Sequence, residues 1–127
     1  MMNLEERDAI TGGVIGAAIE VHRILGPGLL ESVYQTCLEM ELKLRGIEFL
    51  SQHRVPVEYK GIVLPQDFIL DIYLPGQLVV ELKTVDKFAP IHDAQLLTYL
   101  RLTKTKVGLL LNFQVPTLKE GIKRLIL

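Results

Sequence analysis

Glu81 lies ten positions after Asp71, and Lys83 follows two positions later. This D-x9-E-x-K spacing sets three charged groups into apolar sequence, where burial is costly unless an ion or a reaction uses them. Alternate side chains of a strand share a face, so Glu81 and Lys83 point together while Val80 and Leu82 enter the opposite layer. A turn at Pro75–Gly76 that folds the Asp71 strand back along the Glu81 strand brings the second carboxylate to the same place. Two acids and a lysine are the parts of a hydrolase that uses a divalent metal. The segment alone reads equally well as a solvent-facing Glu81–Lys83 pair on a half-buried strand, with Asp71 at a strand end.

A second group of polar residues lies on the stretch from Pro90 to Thr103, where Pro90 suits the first turn of a helix. Helical periodicity gives Ile91, Ala94, Leu96, Leu97 and Leu100 the packing side. His92, Gln95 and Tyr99 fall on another stripe, with Gln95 and Tyr99 one turn apart. The two are placed to hydrogen-bond a phosphate, a base or a lysine across a cleft, or to be ordinary rim polar groups. Glu31 and Tyr34 are likewise one turn apart on an earlier helix, where Gly28 permits a tight approach and Glu31 also suits the N-terminal dipole.

These residues need elements to hold them. Residues 10–25 carry Ile10, Val14, Ala17, Ala18, Val21, Ile24 and Leu25 on one helical stripe, with Gly12, Gly13 and Gly16 open to close approach by another element. Gly26-Pro27-Gly28 ends that helix. A second runs over 30–45 with Val33, Cys37, Leu38, Met40, Leu42 and Leu44 apolar and Gly46 as its stop. Strands follow at 55–59, 68–74 and 78–83, separated by turns at Lys60–Gly61 and Pro75–Gly76, an antiparallel meander. After the helix at 90–103, the unbroken apolar run 107–112 reads as a strand buried on both faces. Residues 122–127 close the chain as an edge strand or a short helix. The fold class is α/β, an α+β mixed sheet with helices packed on it.

The 127 residues make a single domain spanning 1–127, with 49% hydrophobic and 23% charged residues, as in a globular protein. The one cysteine, Cys37, has no partner for an internal disulfide and reads as a buried, inert thiol in a reducing compartment. No apolar run has the length of a membrane span, and the acidic start Met-Met-Asn-Leu-Glu-Glu-Arg-Asp is unlike a secretory signal. A cytoplasmic protein that does not enter the membrane is expected. Net charge of −1 weighs against a DNA-coating protein. From Tyr99 onward, however, Arg101, Lys104, Lys106, Lys119, Lys123 and Arg124 face the single acid Glu120, a basic quarter suited to border a phosphate track or to be solvated. A small core with exposed apolar strands also suits a homodimer, although no heptad pattern specifies one.

Taken together, the motifs resemble the GxxExxY family of the PD-(D/E)xK nuclease superfamily, over nearly the whole chain. Gly28-Leu-Leu-Glu31-Ser-Val-Tyr34 matches the naming motif, Asp71 with Glu81-Leu-Lys83 the nuclease signature, and Gln95-x3-Tyr99 the extra motif of RecB-type and lambda-exonuclease-like members. Ala18-Ile-Glu-Val-His22, Leu25-Gly-Pro-Gly28, Pro90-Ile-His92 and Gly108-Leu-Leu-Leu-Asn-Phe113 agree with it; Leu70 in place of proline before Asp71 departs from it. The resemblance implies a restriction-endonuclease-like αβββαβ core with an extra N-terminal helix. It implies metal-dependent hydrolysis of DNA phosphodiesters, with Asp71, Glu81 and the Leu82 carbonyl holding Mg2+ or Mn2+. Glu31 then faces the metal as ligand or through water, Lys83 serves the attacking water, Gln95 holds the lysine or the phosphate, and Tyr99 supports them. His22 and His92 recur in the pattern as packing or supporting residues. The alternative is a nuclease-derived binding or assembly protein, catalytically silent or dependent on a partner.

Overall fold

The computed structural model describes residues 4–127, with side chains from Ala9 onward, so the acidic N-terminal octet lies outside the described side chains. In chain order the elements are α1 (Leu4–Leu25), α2 (Glu31–Leu44), β1 (Leu50–Tyr59), β2 (Ile62–Leu74), β3 (Leu78–Lys83), α3 (Pro90–Thr103) and β4 (Val107–Asn112). A 3-10 turn at Leu118–Gly121 then leads into β5 (Ile122–Ile126). The strands form one mixed sheet in the order β1-β2-β3-β4-β5, in which only β3 and β4 run parallel, joined by α3 as the crossover. This is the expected αβββαβ order preceded by α1, and residues 122–126 form the edge strand. No described helix is long and apolar enough to cross a membrane.

Alternation along the strands divides the core into two layers. Ile72, Leu74, Leu78, Val80 and Leu82 pack against Val14, Ala17, Tyr34 and Leu38 of α1 and α2. Tyr73, Val79 and Leu110 pack against Leu96 and Leu100 of α3. Every residue of β4 is buried because helices cover both faces of the sheet where it runs. β1 and β2 are longer than the apolar runs at 55–59 and 68–74. The added segments 50–54 and 62–67 pair all the same, Ser51 and Arg54 with Ile72 and Ile69 and Asp67 with Pro56, because ladder hydrogen bonds join backbones and do not require apolar side chains.

The helices bury narrower stripes than their periodicity implies. In α2 the buried positions are Tyr34, Leu38 and Leu42, while Val33, Met40 and Leu44 are exposed, as is Ile24 of α1. Arg45, just beyond α2, approaches Gly16 of α1, and Ile24, Met40 and Leu44 line an open groove where the two helices meet. Cys37 is half-buried against the core formed with α1. On α3, Leu96 and Leu100 define the inward face, which leaves Ile91 about 140° around the helix and exposed. Ala94 is exposed as well.

Tyr34 is a structural tether. It is fully buried, stacks on Phe113 with ring centroids 4.5 Å apart, donates its hydroxyl proton to the Gly26 carbonyl at 2.6 Å and accepts from the Leu29 amide at 3.2 Å. It thereby pins the turn between α1 and α2. Gly28 takes φ +102 in that turn, with open space where a Cβ would stand, so it serves backbone conformation and not close approach. His22 plays a similar part, its Nε2 lying 2.9 Å from the Val115 carbonyl and 3.2 Å from that of Phe113. Tyr34→Phe removes the hydroxyl from a packed site. Chemical denaturation of this variant should show a loss of about 1–2 kcal/mol; an unchanged midpoint would mean that the hydroxyl does not secure the turn.

Candidate active site

β2 and β3 pair through Leu74↔Leu78, Tyr73↔Val79 and Ile72↔Val80, closed by a turn in which the Gln77 amide donates to the Leu74 carbonyl at 2.8 Å and Gly76 adopts φ 73. One step further in the same register sets Asp71 opposite Glu81, but the ladder stops there. Side chains replace it. The Asp71 amide donates to Glu81 Oε1 at 3.2 Å, and the Leu82 amide donates to Asp71 Oδ2 at 2.8 Å. The two acids thus occupy the gap between diverging strands, each accepting a backbone hydrogen from the other's strand.

This placement has an electrostatic cost. Glu81 is only 6% exposed. Burial, then the negative charge of Asp71 and a side-chain hydrogen bond to it, raise its pKa from 4.5 to about 9, only partly offset by the Asp71 amide hydrogen bond and by Lys83. Glu31, at the first position of α2, is exposed to solvent at its edge. Its pKa is raised by partial burial and by Asp71, and Lys83 opposes the rise. The Tyr99 phenol is raised by burial and by the charges of Glu81 and Asp71, and so remains a proton donor; its ring is held by Phe68 of β2 at 5.4 Å. Glu31, Asp71, Glu81, Lys83 and Tyr99 are therefore within electrostatic reach of one another. Gln95 is exposed one turn before Tyr99 on α3. His92 instead caps α3, its Nδ1 accepting the Ala89 amide at 3.0 Å.

Three contributors lay outside the candidate site residues. Gln35, one turn after Glu31, donates to the Asp71 carbonyl at 2.8 Å, and Gln52 of β1 donates to Asp71 Oδ1 at 3.3 Å. With Glu31, Ser32, Thr36 and Asp71 they line a cleft of about 380 Å3. Asn112 ties the chain beyond Lys83, accepting the Val85 amide at 3.1 Å and donating to the Val85 carbonyl at 2.7 Å. Helical spacing from Glu31 is the signal that could have found Gln35, and a polar residue ending a buried strand the one that could have found Asn112. Nothing local marked Gln52.

The donor set suits a small hard cation. Two carboxyl groups face one another with Glu81 buried, and a positive charge between them would relieve both the desolvation and the mutual repulsion without Glu81 having to hold a proton. Among the described residues no three His, Cys, Asp or Glu gather closely enough to enclose an ion, so Glu31 does not complete a three-carboxylate cage. The basic C-terminal quarter does not form one track. Lys106 precedes β4 and Lys83 pairs with Asn112 at its far end, which separates them by roughly 20 Å along the sheet. Arg101 and Lys104 share the Lys106 end, and Lys123 is engaged by Asp93 at 2.6 Å.

A family model described as the PD-(D/E)XK nuclease superfamily matches residues 8–125. No curated protein and no solved structure matches the chain.

A carboxyl whose pKa is raised on folding adds stability below its unfolded value, and that stability is lost as pH rises through the folded value. Metal-free protein should therefore lose stability from pH 4.5 toward pH 9. Glu81→Gln should flatten that slope and gain about 2–3 kcal/mol at pH 7. Denaturation series at pH 5, 7 and 9 measure this, and parallel curves for parent and variant would contradict the buried acid.

Proposed function

Because the chain belongs to the PD-(D/E)XK nuclease superfamily, we propose that it is a metal-dependent nuclease hydrolysing DNA phosphodiester bonds. The observation that carries this reading is the Asp71–Glu81 pair, two acids set in the gap where β2 leaves β3, with Lys83 on the Glu81 face. Within the superfamily, Gly28, Glu31 and Tyr34 support assignment to the GxxExxY group, and Gln95 with Tyr99 support kinship with RecB-type and lambda-exonuclease-like members.

Asp71 and Glu81 would hold Mg2+ or Mn2+, with the Leu82 carbonyl as a neutral third oxygen and Glu31 acting through water. The bound ion would supply charge neutralisation at the phosphate and acidify the attacking water. Lys83 orients that water, or takes its proton, from the same strand face as Glu81. Tyr99, kept protonated by its acidic neighbours, donates a hydrogen bond toward the reacting group. Gln95, a turn away, contacts the phosphate or the lysine. The single half-buried cysteine accords with a cytoplasmic setting.

One observation favours a second reading. Arg101, Lys104 and Lys106 stand at the opposite end of the sheet, and Lys123, which β4 and β5 bring level with Glu81, is engaged by Asp93. A nuclease fold that has become a binding or assembly protein, alone or as a homodimer, has no need of a free cationic surface beside the acids.

Purified protein with Mg2+ or Mn2+ should cut at least one of single-stranded, duplex and branched DNA. Glu81→Ala and Lys83→Ala should each reduce cleavage by about 100-fold or more. Cleavage that survives both substitutions would sink the assignment. Calorimetry with Mn2+ separates the two readings, since absent binding favours the second.

A further inference from the structure

Asp71 is held from three directions. The Leu82 amide fixes Oδ2 at 2.8 Å, which leaves the carboxylate free to rotate about that anchor until a second contact sets the direction of Oδ1. Gln52 Nε2 makes that contact at 3.3 Å from β1. From α2, Gln35 Nε2 holds the Asp71 carbonyl at 2.8 Å, and Gln35 is itself oriented by Glu39, whose Oε2 lies 2.8 Å from the same nitrogen and accepts the Ser51 hydroxyl at 2.7 Å.

The backbone at Gln52 is unusual. It takes φ 47, the left-handed region that glycine or asparagine ordinarily fills, and the β1–β2 pairing passes from Ser51↔Ile72 to His53↔Leu70 without a regular pair at Gln52. The fold holds this residue against its backbone preference while its amide donates to the carboxylate across the strand. The chemistry of an amide fits the task. It donates a hydrogen bond without neutralising the acid, whereas a lysine or arginine there would compete with a cation for the same oxygen.

We propose that Gln52 and Gln35 are positioning residues for Asp71, Gln52 setting the rotation of its carboxylate and Gln35 fixing its main chain. The catalytic consequence rests on the metal-site reading above. The clamp itself rests on the protein contacts alone. Oriented in this way, Oδ1 keeps a lone pair available to a cation shared with Glu81.

The test uses Gln52→Gly, which meets φ 47 without strain, Gln52→Met, which keeps the length but loses the donor, and Gln35→Met. In the metal-free parent, the Gln52 side-chain amide resonance should move on Asp71→Ala. Calorimetry should show Mn2+ bound about 10-fold more weakly by each glutamine variant, with the thermal midpoint of Gln52→Gly at or above that of the parent. Parent-like Mn2+ affinity in both Gln52 variants overturns the proposal. So does a Gln52 amide resonance that ignores Asp71→Ala. A parent chain that binds no Mn2+ yet shows that resonance moving sustains the clamp and sinks the metal-site reading instead.

Discussion

The stop of the β2–β3 ladder after Ile72↔Val80 is the constraint on which the candidate site depends. Had the strands continued to pair, Asp71 and Glu81 would be cross-strand neighbours on a closed sheet, and two like charges side by side would only weaken it. Because the strands part, two backbone N–H groups lose their partners, and the acids supply them. The same side chains that form the candidate site therefore also satisfy the backbone that holds them. The Pro75–Gly76 turn sets the register that puts them opposite one another, and its geometry is as necessary to the site as the acids are.

Keeping Glu81 buried beside Asp71 works against folding at neutral pH, and the surrounding structure has to absorb that cost. It does so with two apolar layers that meet at the central strands, where Val79, Val80 and Leu82 are fully buried on either side of the acids. Small supports hold the periphery. Phe113 donates its amide to the Lys83 carbonyl at 3.0 Å, and Asn112 brackets Val85, so the end of β3 is tied down just past the lysine. Precision at the site is thus bought by packing on both faces of one strand.

Much of this was legible in the chain itself. Alternation in 78–83, the turn residues at 75–76 and the unbroken apolar run at 107–112 are local signals, and each element formed where its pattern stood. What misled was helix amphipathicity. Val33, Met40, Leu44 and Ile91 sit at apolar spacing yet are exposed, because the buried width of a helix depends on how many neighbours it meets, which no period within the helix reports. In the site, Glu31, Asp71, Glu81, Lys83 and Tyr99 were identifiable from motif spacing and lie within electrostatic reach of one another. Gln52 was not, since its role arises from a strand pairing that reaches 19 residues along the chain and from a backbone angle with no glycine to announce it. Tyr34 shows the converse: a residue of the naming motif whose work is to secure a turn.

The arrangement of charge bears on how a polyanion would meet this surface. Glu31, Asp71 and Glu81 are grouped with Lys83, Lys123 is engaged by Asp93, and Arg101, Lys104 and Lys106 stand at the other end of the sheet. A phosphate approaching the acids therefore meets repulsion from nearby groups that distant cations, a Debye length or more away, do little to offset. Only a positive charge at the acids themselves reverses the local sign. On the nuclease reading, the cation then has two tasks that cannot be separated in this fold: it makes the phosphodiester reactive, and it makes the site attractive to the phosphate at all.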